Sequence, residues 1–196
     1  MKRRITGIFL LVFTLALPIS AENLALNKKY VADKPPESTY PDSGGAELTD
    51  GKIGELSIYD SAWSGHLRNE YRIFVVDLED IYTIDSISLG ALKDEGTGVT
   101  LPLWLCFAVS NDGKKWKSLG TLDYDEDELP TNPTVRMVYE FDAGSKEARY
   151  VAIKVNSGVW LFVDEIEIHG NLNSKKAAPS GLSLSQIDFE EIDFDY

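Results

Sequence analysis

Apolar and polar positions along this chain fall into short runs, and the runs predict β-strands. Tyr71–Asp77 (YRIFVVD), Ile84–Leu89 (IDSISL) and Leu103–Ser110 carry alternating or continuous β-branched and aromatic residues. So do Val135–Phe141 (VRMVYEF), Tyr150–Val155 (YVAIKV) and Phe162–His169 (FVDEIEIH). Turn signals separate them at Asn111-Asp112-Gly113, Pro130 to Pro133, Ala143-Gly144 and Ser157-Gly158. No stretch after residue 21 shows the 3.6-residue apolar period of a helix, and there is no internal repeat. Short strands at this spacing predict an all-β fold, a β-sandwich of the jelly-roll kind.

The two ends of the chain follow different patterns. Residues 1–21 have a basic start (Lys2, Arg3, Arg4), an apolar run from Ile8 to Leu17 and a small-residue cleavage site at Ile19-Ser20-Ala21. This is the pattern of a signal peptide, too short to span a bilayer comfortably, and it predicts a secreted or extracytoplasmic protein. No cysteine follows the cleavage site, so a bacterial lipid anchor is not expected. Residues 22–170 form the expected domain, followed by a linker and acidic tail at 171–196. Asn171–Gly181 is polar and small, and Gln186–Tyr196 (QIDFEEIDFDY) alternates acids with Ile, Phe and Tyr. A disordered acidic tail is the default reading; a partner-docking segment or part of another domain are the alternatives.

Charge and cysteine usage narrow the function classes. The 196 residues hold 19 basic and 32 acidic side chains, for a net charge of -13. Nucleic acid is not an expected partner, because phosphate binding needs the opposite sign. The one cysteine, Cys106, lies in the apolar run Leu103–Val109, so it reads as a buried small hydrophobe and not as a nucleophile. His66 and His169 have no metal-ligand or triad spacing, and no glycine-rich phosphate motif follows a strand. A catalytic role is not expected.

One stretch carries candidate metal chemistry. In Ala46–Trp63 (AELTDGKIGELSIYDSAW), Asp50 precedes Gly51, which can take φ > 0 and fold the chain back. Such a turn aims oxygens at one point, as a hard cation such as Ca²⁺ requires. A second acidic cluster, Asp164-Glu165-Ile166-Glu167, would meet it if the fold joins the two. An Asp-Gly turn with solvated acids is the plain alternative.

From Asn23 to Gly170 the chain resembles a discoidin domain, the coagulation factor V/VIII type C family, which includes many bacterial carbohydrate-binding modules. Seven segments follow the family's order: Asn23–Lys28, Glu47–Gly51, Trp63, Val76–Leu78 with Tyr82–Ile87, Val109–Trp116, Arg149–Ile153 and Asp164–Gly170. The Tyr40–Gly45 and Ala62–His66 stretches resemble members attached to bacterial cell-surface and polysaccharide-degrading proteins.

The resemblance implies one structural Ca²⁺. Its ligands by position are the Asp50 side chain, main-chain oxygens of Glu47 and Lys52, Ser61 (or its neighbour Asp60), the Glu165 carboxylate and the Asp164 carbonyl. The resemblance also implies ligand binding by loops at one end of the sandwich. There the galactose-type members set His, Arg and Asn around an aromatic platform, a mixture that suits sugar hydroxyls and C–H faces. His66, Arg68 and Asn69 are the candidates in one loop. Lys93 and Thr97 stand where the family's Arg and Asn fall, a departure from its galactose and fucose pattern. Trp160 is either the platform or a packing residue; Trp63, Trp104 and Trp116 read as packing residues.

The expected function is a secreted, non-catalytic module that binds a polysaccharide or glycoprotein glycan. A protein-interaction or adhesion module using the same loops, or the acidic tail, is the alternative. Phospholipid binding ranks last, since acidic loops oppose anionic lipid, and membrane insertion is not expected.

Overall fold

The computed structural model describes residues 21–42, 44–68, 70–176 and 181–194. The segment expected to be cleaved, apart from Ala21, lies outside them. Eight strands form the fold: β1 (Glu22–Asn23), β2 (Lys29–Ala32), β3 (Ser64–Leu67), β4 (Tyr71–Asp94), β5 (Trp104–Ser110), β6 (Trp116–Asp123), β7 (Thr134–Asn156) and β8 (Trp160–Lys175). Every ladder between them is antiparallel. Among the described residues the only helical pieces are four short 3₁₀ turns. The all-β expectation holds.

β4 and β7 are long because each bends and serves both layers. Up to Asp77, β4 pairs with β2 and with residues 150–156 of β7. The register then breaks between Asp77 and Tyr82, where Glu79 takes φ 73°. Beyond the break β4 pairs with residues 134–148 of β7 and with β8. The bend turns one ladder into a sandwich, with β5 and β6 extending one layer and β1 and β3 edging β8 in the other. Period-2 alternation then points Phe74, Val76, Phe107 and Ile153 inward, against Ile87, Leu89, Ile166 and Ile168. The runs Tyr71–Asp77 and Ile84–Leu89 are therefore two halves of one bent strand. β6 carries a half-buried, polar-mixed sequence (WKSLGTLD), which is why its pattern does not announce a strand.

Cys106 is fully buried and unpaired in β5, and burial raises its thiol pKa, as expected of an inert core thiol.

The C-terminal segment departs from the expected disordered tail. Residues 181–194 fold back as a strap over the outer face of the β4–β7–β5 layer. There Ile187 and Ile192 pack against Ile73, Val75, Ala108, Tyr150 and Ala152. Two 3₁₀ turns, Leu184–Gln186 and Phe189–Glu191, shape the strap. Ser183 and Gln186 close a reciprocal capping box on the first, and the Asp188 carboxylate accepts from the Glu190 N–H at 3.1 Å on the second. The Leu182 N–H donates to the Asp112 carbonyl at 3.1 Å, and the Tyr150 hydroxyl donates to the Leu182 carbonyl. The apolar members of the tail cover the sheet, while its acids face water. Residues 177–180 and 195–196 lie outside the described part.

Burying an isoleucine contributes about 1.5–3 kcal/mol, so the strap is a stabilising layer. Ile187→Ala is expected to lower unfolding free energy by about 2–4 kcal/mol in a denaturant titration. A chain ending at Lys176 is expected to melt earlier and bind an apolar dye in its native state. Unchanged midpoints in both would refute the strap's stabilising role.

Candidate functional site

Three segments converge at one end of the sandwich because β3, the β4–β5 connection and the start of β8 are stitched together there. Leu67 pairs with Trp160, and the Arg68 N–H donates to the Val159 carbonyl at 3.0 Å. Asp94 and Val99 close a turn, and Val99 forms a parallel bridge with Trp160. Beside this junction lies an open cleft of about 650 Å³, lined by Lys93, Val99, Thr100, Pro130, Thr131 and Asn156 among others. Its far wall, Leu129 to Thr131, belongs to the β6–β7 connection. In sequence, Pro130 to Pro133 reads only as a turn.

Lys93, the cation in the cleft lining, is already paired. The Lys93 ammonium donates to the Pro130 carbonyl at 3.0 Å and meets the Glu95 carboxylate at 2.8 Å. The Asn156 carboxamide is occupied as well, accepting from the Leu103 N–H and donating to the Glu70 carbonyl. Thr97 sits exposed at the tip of the Asp94–Val99 turn and donates to the Asp94 carbonyl, away from the cleft lining.

Trp160 is half-buried and bridged to Val99 of the cleft wall. Its ring meets Tyr40 edge-on at 5.5 Å, and Tyr40 in turn meets Phe162 at 4.7 Å. Both packing and exposure hold for Trp160: one side rests on the cluster of Ile58, Trp63, Leu92, Val99 and Phe162, and the rest faces solvent. Trp63 is fully buried, as expected. Arg68 is half-buried in a left-handed conformation, φ 42°. Asn69 lies outside the described residues.

His66 needs correction. It is not a loop residue but lies on β3, 1% exposed, facing the interior. Alternation explains this: Ser64 and His66 share one face, and the ring meets Phe74 edge-on at 5.4 Å. Arg72, also buried, donates from Nε to His66 Nδ1 at 3.3 Å, so the neutral ring carries its proton on Nε2, which faces Ser64 Oγ at 3.2 Å. Desolvation first, then the Arg72 charge, pushes the His66 pKa down to about 3. A residue so enclosed cannot touch a ligand.

The Asp-Gly stretch forms a second feature. Gly51 takes φ 80°, which its missing Cβ permits, and its N–H donates to both Glu165 carboxylate oxygens at 3.1 Å. The chain then passes over Trp63, whose indole N–H donates to the Glu55 carbonyl at 2.7 Å. Gly54 is required there, because a Cβ would fall 2.3 Å from that indole. Glu47, Asp50, Lys52 and Ser61, with Ala46 and Ala62, line a hollow of about 340 Å³. Glu165 reaches this region through Gly51 and is 3% exposed. Burial, together with the nearby Asp50, Glu167 and Asp164 carboxylates, raises its pKa to about 8. The Asp164 side chain points elsewhere, accepting from Arg136 and from the Gly54 N–H. Asp60 is likewise engaged, its two oxygens accepting from the Glu55 and Ala62 N–H groups.

The comparisons bear on this geometry. The model of the F5/8 type C domain matches residues 36–166. The chain belongs to the F5/8 type C domain family. A search of curated proteins returns no significant match. Among solved structures, the chain is similar to CpGH89CBM32-6 from Clostridium perfringens: 21% identity, TM-score 0.51, covering 76% of this chain and 100% of that one. It is also similar to a fucose binding module of Streptococcus pneumoniae, at 16% identity and TM-score 0.55, covering 77% and 96%. A third is chitosan-binding module 1 from a chitosanase/glucanase of Paenibacillus sp. IK-5, at 16% identity and TM-score 0.52, covering 76% and 99%. At these identities the likeness shows the fold.

Within this F5/8 type C domain, the sequence reading omits two contributors: Tyr40, which buttresses Trp160, and the 129–131 wall. Arg72, which fixes His66, is omitted too; its position inside an apolar strand was the available signal.

His66 gives a pH signature. Its folded pKa is depressed, so below about pH 6.5 the unfolded chain takes up a proton that the folded chain refuses until about pH 3. Stability is therefore lost as pH falls through that window, by about 1.4 kcal/mol per pH unit from this group. His66→Gln is expected to show a shallower acid loss between pH 6 and 4 in denaturant titrations. Identical slopes would refute the buried neutral imidazole.

Proposed function

We propose that this F5/8 type C domain is a non-catalytic glycan-binding module, secreted, whose end loops take a neutral or amine-bearing sugar. The observation that carries this reading is the open 650 Å³ cleft, with the part-exposed Trp160 bridged to Val99 of its wall. A ring face covers the C–H side of a pyranose, while Thr100, Thr131 and main-chain groups at the rim offer partners for hydroxyls. Lys93 is neutralised by Glu95, and Glu126 also lines the cleft, so an anionic glycan gains no free cation there. The solved structures named above support the class of partner, since one binds fucose and another chitosan. A shallow site of this kind gives modest affinity, on the order of 10⁻⁵–10⁻³ M.

A Ca²⁺ ion is part of the proposal. The Asp50–Ser61 hollow and Glu165 offer the hard oxygen donors a calcium ion takes. Among the described residues no three Asp, Glu, His or Cys side chains converge as a metal cage. Main-chain oxygens of Glu47, Lys52 and Asp164, with Ser61, would complete the set. A bound dication would offset the crowding of buried Glu165 and Asp50 and lock the 50–61 loop. The Lys52 ammonium that meets Asp50 at 2.7 Å is exposed and screened by solvent, so this ion pair is a weak competitor.

Two experiments test these points. Millimolar calcium is expected to raise the melting temperature and chelator to lower it, and Asp50→Ala is expected to abolish the response. A melting curve indifferent to both would remove the metal from the proposal. On a glycan and polysaccharide array, Trp160→Ala is expected to weaken binding at least tenfold with the fold retained by circular dichroism. Wild-type protein that binds no glycan, with or without calcium, would overturn the glycan reading.

A further inference from the structure

The strap at 181–194 crosses the outer face of its sheet toward the end of the sandwich that holds the cleft. It starts at Leu182, held by the Asp112 carbonyl and the Tyr150 hydroxyl. It ends at Phe194, beside Lys154 of β7. The Lys154 ammonium stands over three rings: Tyr71 at 4.2 Å, Phe194 at 5.8 Å and Trp104 at 6.0 Å from the centroids. Among the described residues it makes no ion pair, so these rings are its partners. A cation over ring faces is attracted by their quadrupoles, more strongly where water is partly excluded. All four members of this cage are half-buried. Three come from β4, β5 and β7, and the strap supplies the fourth.

Each sheet member of the cage adjoins a residue of the cleft. Trp104 follows Leu103, and Lys154 lies two residues before Asn156; Leu103 and Asn156 both line the cleft. Tyr71 is the register partner of Asn156 and follows Glu70. The Glu70 carbonyl gathers this corner, accepting from the Ser157 N–H at 3.1 Å and the Asn156 carboxamide at 3.3 Å. Asn156 Oδ1 in turn accepts from the Leu103 N–H at 3.3 Å. Two of these three bonds are longer than the usual N–H···O range. The Ser157 hydroxyl is buried with no partner among the described residues. The corner has little polar reinforcement of its own, so it depends on the packing behind it.

We propose that the strap is a latch for the cleft. With the Phe194 ring closed on Lys154, the corner of Leu103, Asn156 and Ser157 is held in place. Release of the strap loosens that corner and weakens binding in the cleft. Linkage makes the effect reciprocal: a ligand that needs the ordered corner favours the closed strap. Ile187 and Ile192 anchor the strap to the sheet, while Phe194 connects it to the site. The consequence for ligand affinity rests on the glycan-binding reading above and adds regulation to it; the ordering of the corner needs no ligand.

Amide hydrogen exchange, read residue by residue by NMR, decides the latch. Phe194→Ala is expected to speed exchange of the Leu103 and Ser157 N–H groups at least about fivefold by easing local opening. The Leu24 and Gly54 N–H groups, held by Ile168 and Asp164 of β8 in the other layer, are expected to keep wild-type exchange. Lys154→Met, which keeps the side-chain length and removes the charge, is expected to reproduce the effect. Phe194→Tyr, which keeps the ring, is expected to exchange as wild type does. Unchanged exchange at Leu103 and Ser157 overturns the latch. Equal acceleration at Leu24 and Gly54, which marks a general loss of stability, overturns it too, as does an effect that Lys154→Met fails to reproduce. In a second arm, affinity for a glycan found on the array is expected to fall at least about threefold in Phe194→Ala. A smaller fall overturns the latch's hold on the site. Wild-type protein that binds no glycan overturns the reading above, while the exchange arm still decides the latch.

Discussion

The buried acidic pair on β8 is the constraint on which the site's geometry depends. Asp164 is fully buried and compensated by the Arg136 guanidinium, at 2.5 and 3.0 Å, and by the Gly54 and Glu165 N–H groups. Glu165, next along, holds the Gly51 N–H. Two adjacent carboxylates thereby clamp both sides of a turn more than a hundred residues earlier in the chain. A buried carboxylate stripped of such partners would destabilise the fold by several kcal/mol, which makes the clamp obligatory. Because the 51–62 loop is pinned at its start, Trp63 seats beneath it, and Ile58 and Tyr40 pack around that indole's cluster.

The same loop has two sides of different chemistry. Its inner side, at Asp50 and Glu165, gathers oxygens in a poorly solvated place, where carboxylates repel unless a proton or cation intervenes. Its outer side presents Tyr59 at a hollow lined also by Tyr40 and Pro41. A cation fixed at one side would stiffen the other. Of the polar groups that line the cleft, Lys93 is paired with Glu95 and Asn156 is engaged with the backbone.

On the opposite layer the limiting factor is apolar area. Tyr71–Asp77 presents Phe74 and Val76 inward and Ile73 and Val75 outward, so neither face of that strand is suited to water. The strap at 181–194 resolves this by covering the outer face with Ile187 and Ile192. This acidic segment is ordered because its apolar members, at Leu182, Leu184, Ile187, Phe189, Ile192 and Phe194, meet a surface already waiting for them.

What the sequence alone determined is local and periodic: the strands, the Asp50-Gly51 turn, the Asn111-Asp112-Gly113 hairpin and the inert Cys106. These follow from side-chain alternation and from backbone conformations that only certain residues adopt. The ordered segments that resemble the discoidin family carried that local grammar to a fold. Tertiary structure decided everything that depends on which faces meet. His66 looked like a loop ligand beside Arg68, yet one residue of register on β3 turns it inward, where desolvation keeps it neutral. Tyr40 and the 129–131 wall carry no motif; they matter only because the fold sets Tyr40 against Trp160 and the wall against Lys93 of β4. The tail's composition argued for disorder, since an acidic peptide cannot bury enough surface by itself. It folds because the sheet supplies the other half of the interface, and a linear pattern does not record partners that lie far away in sequence.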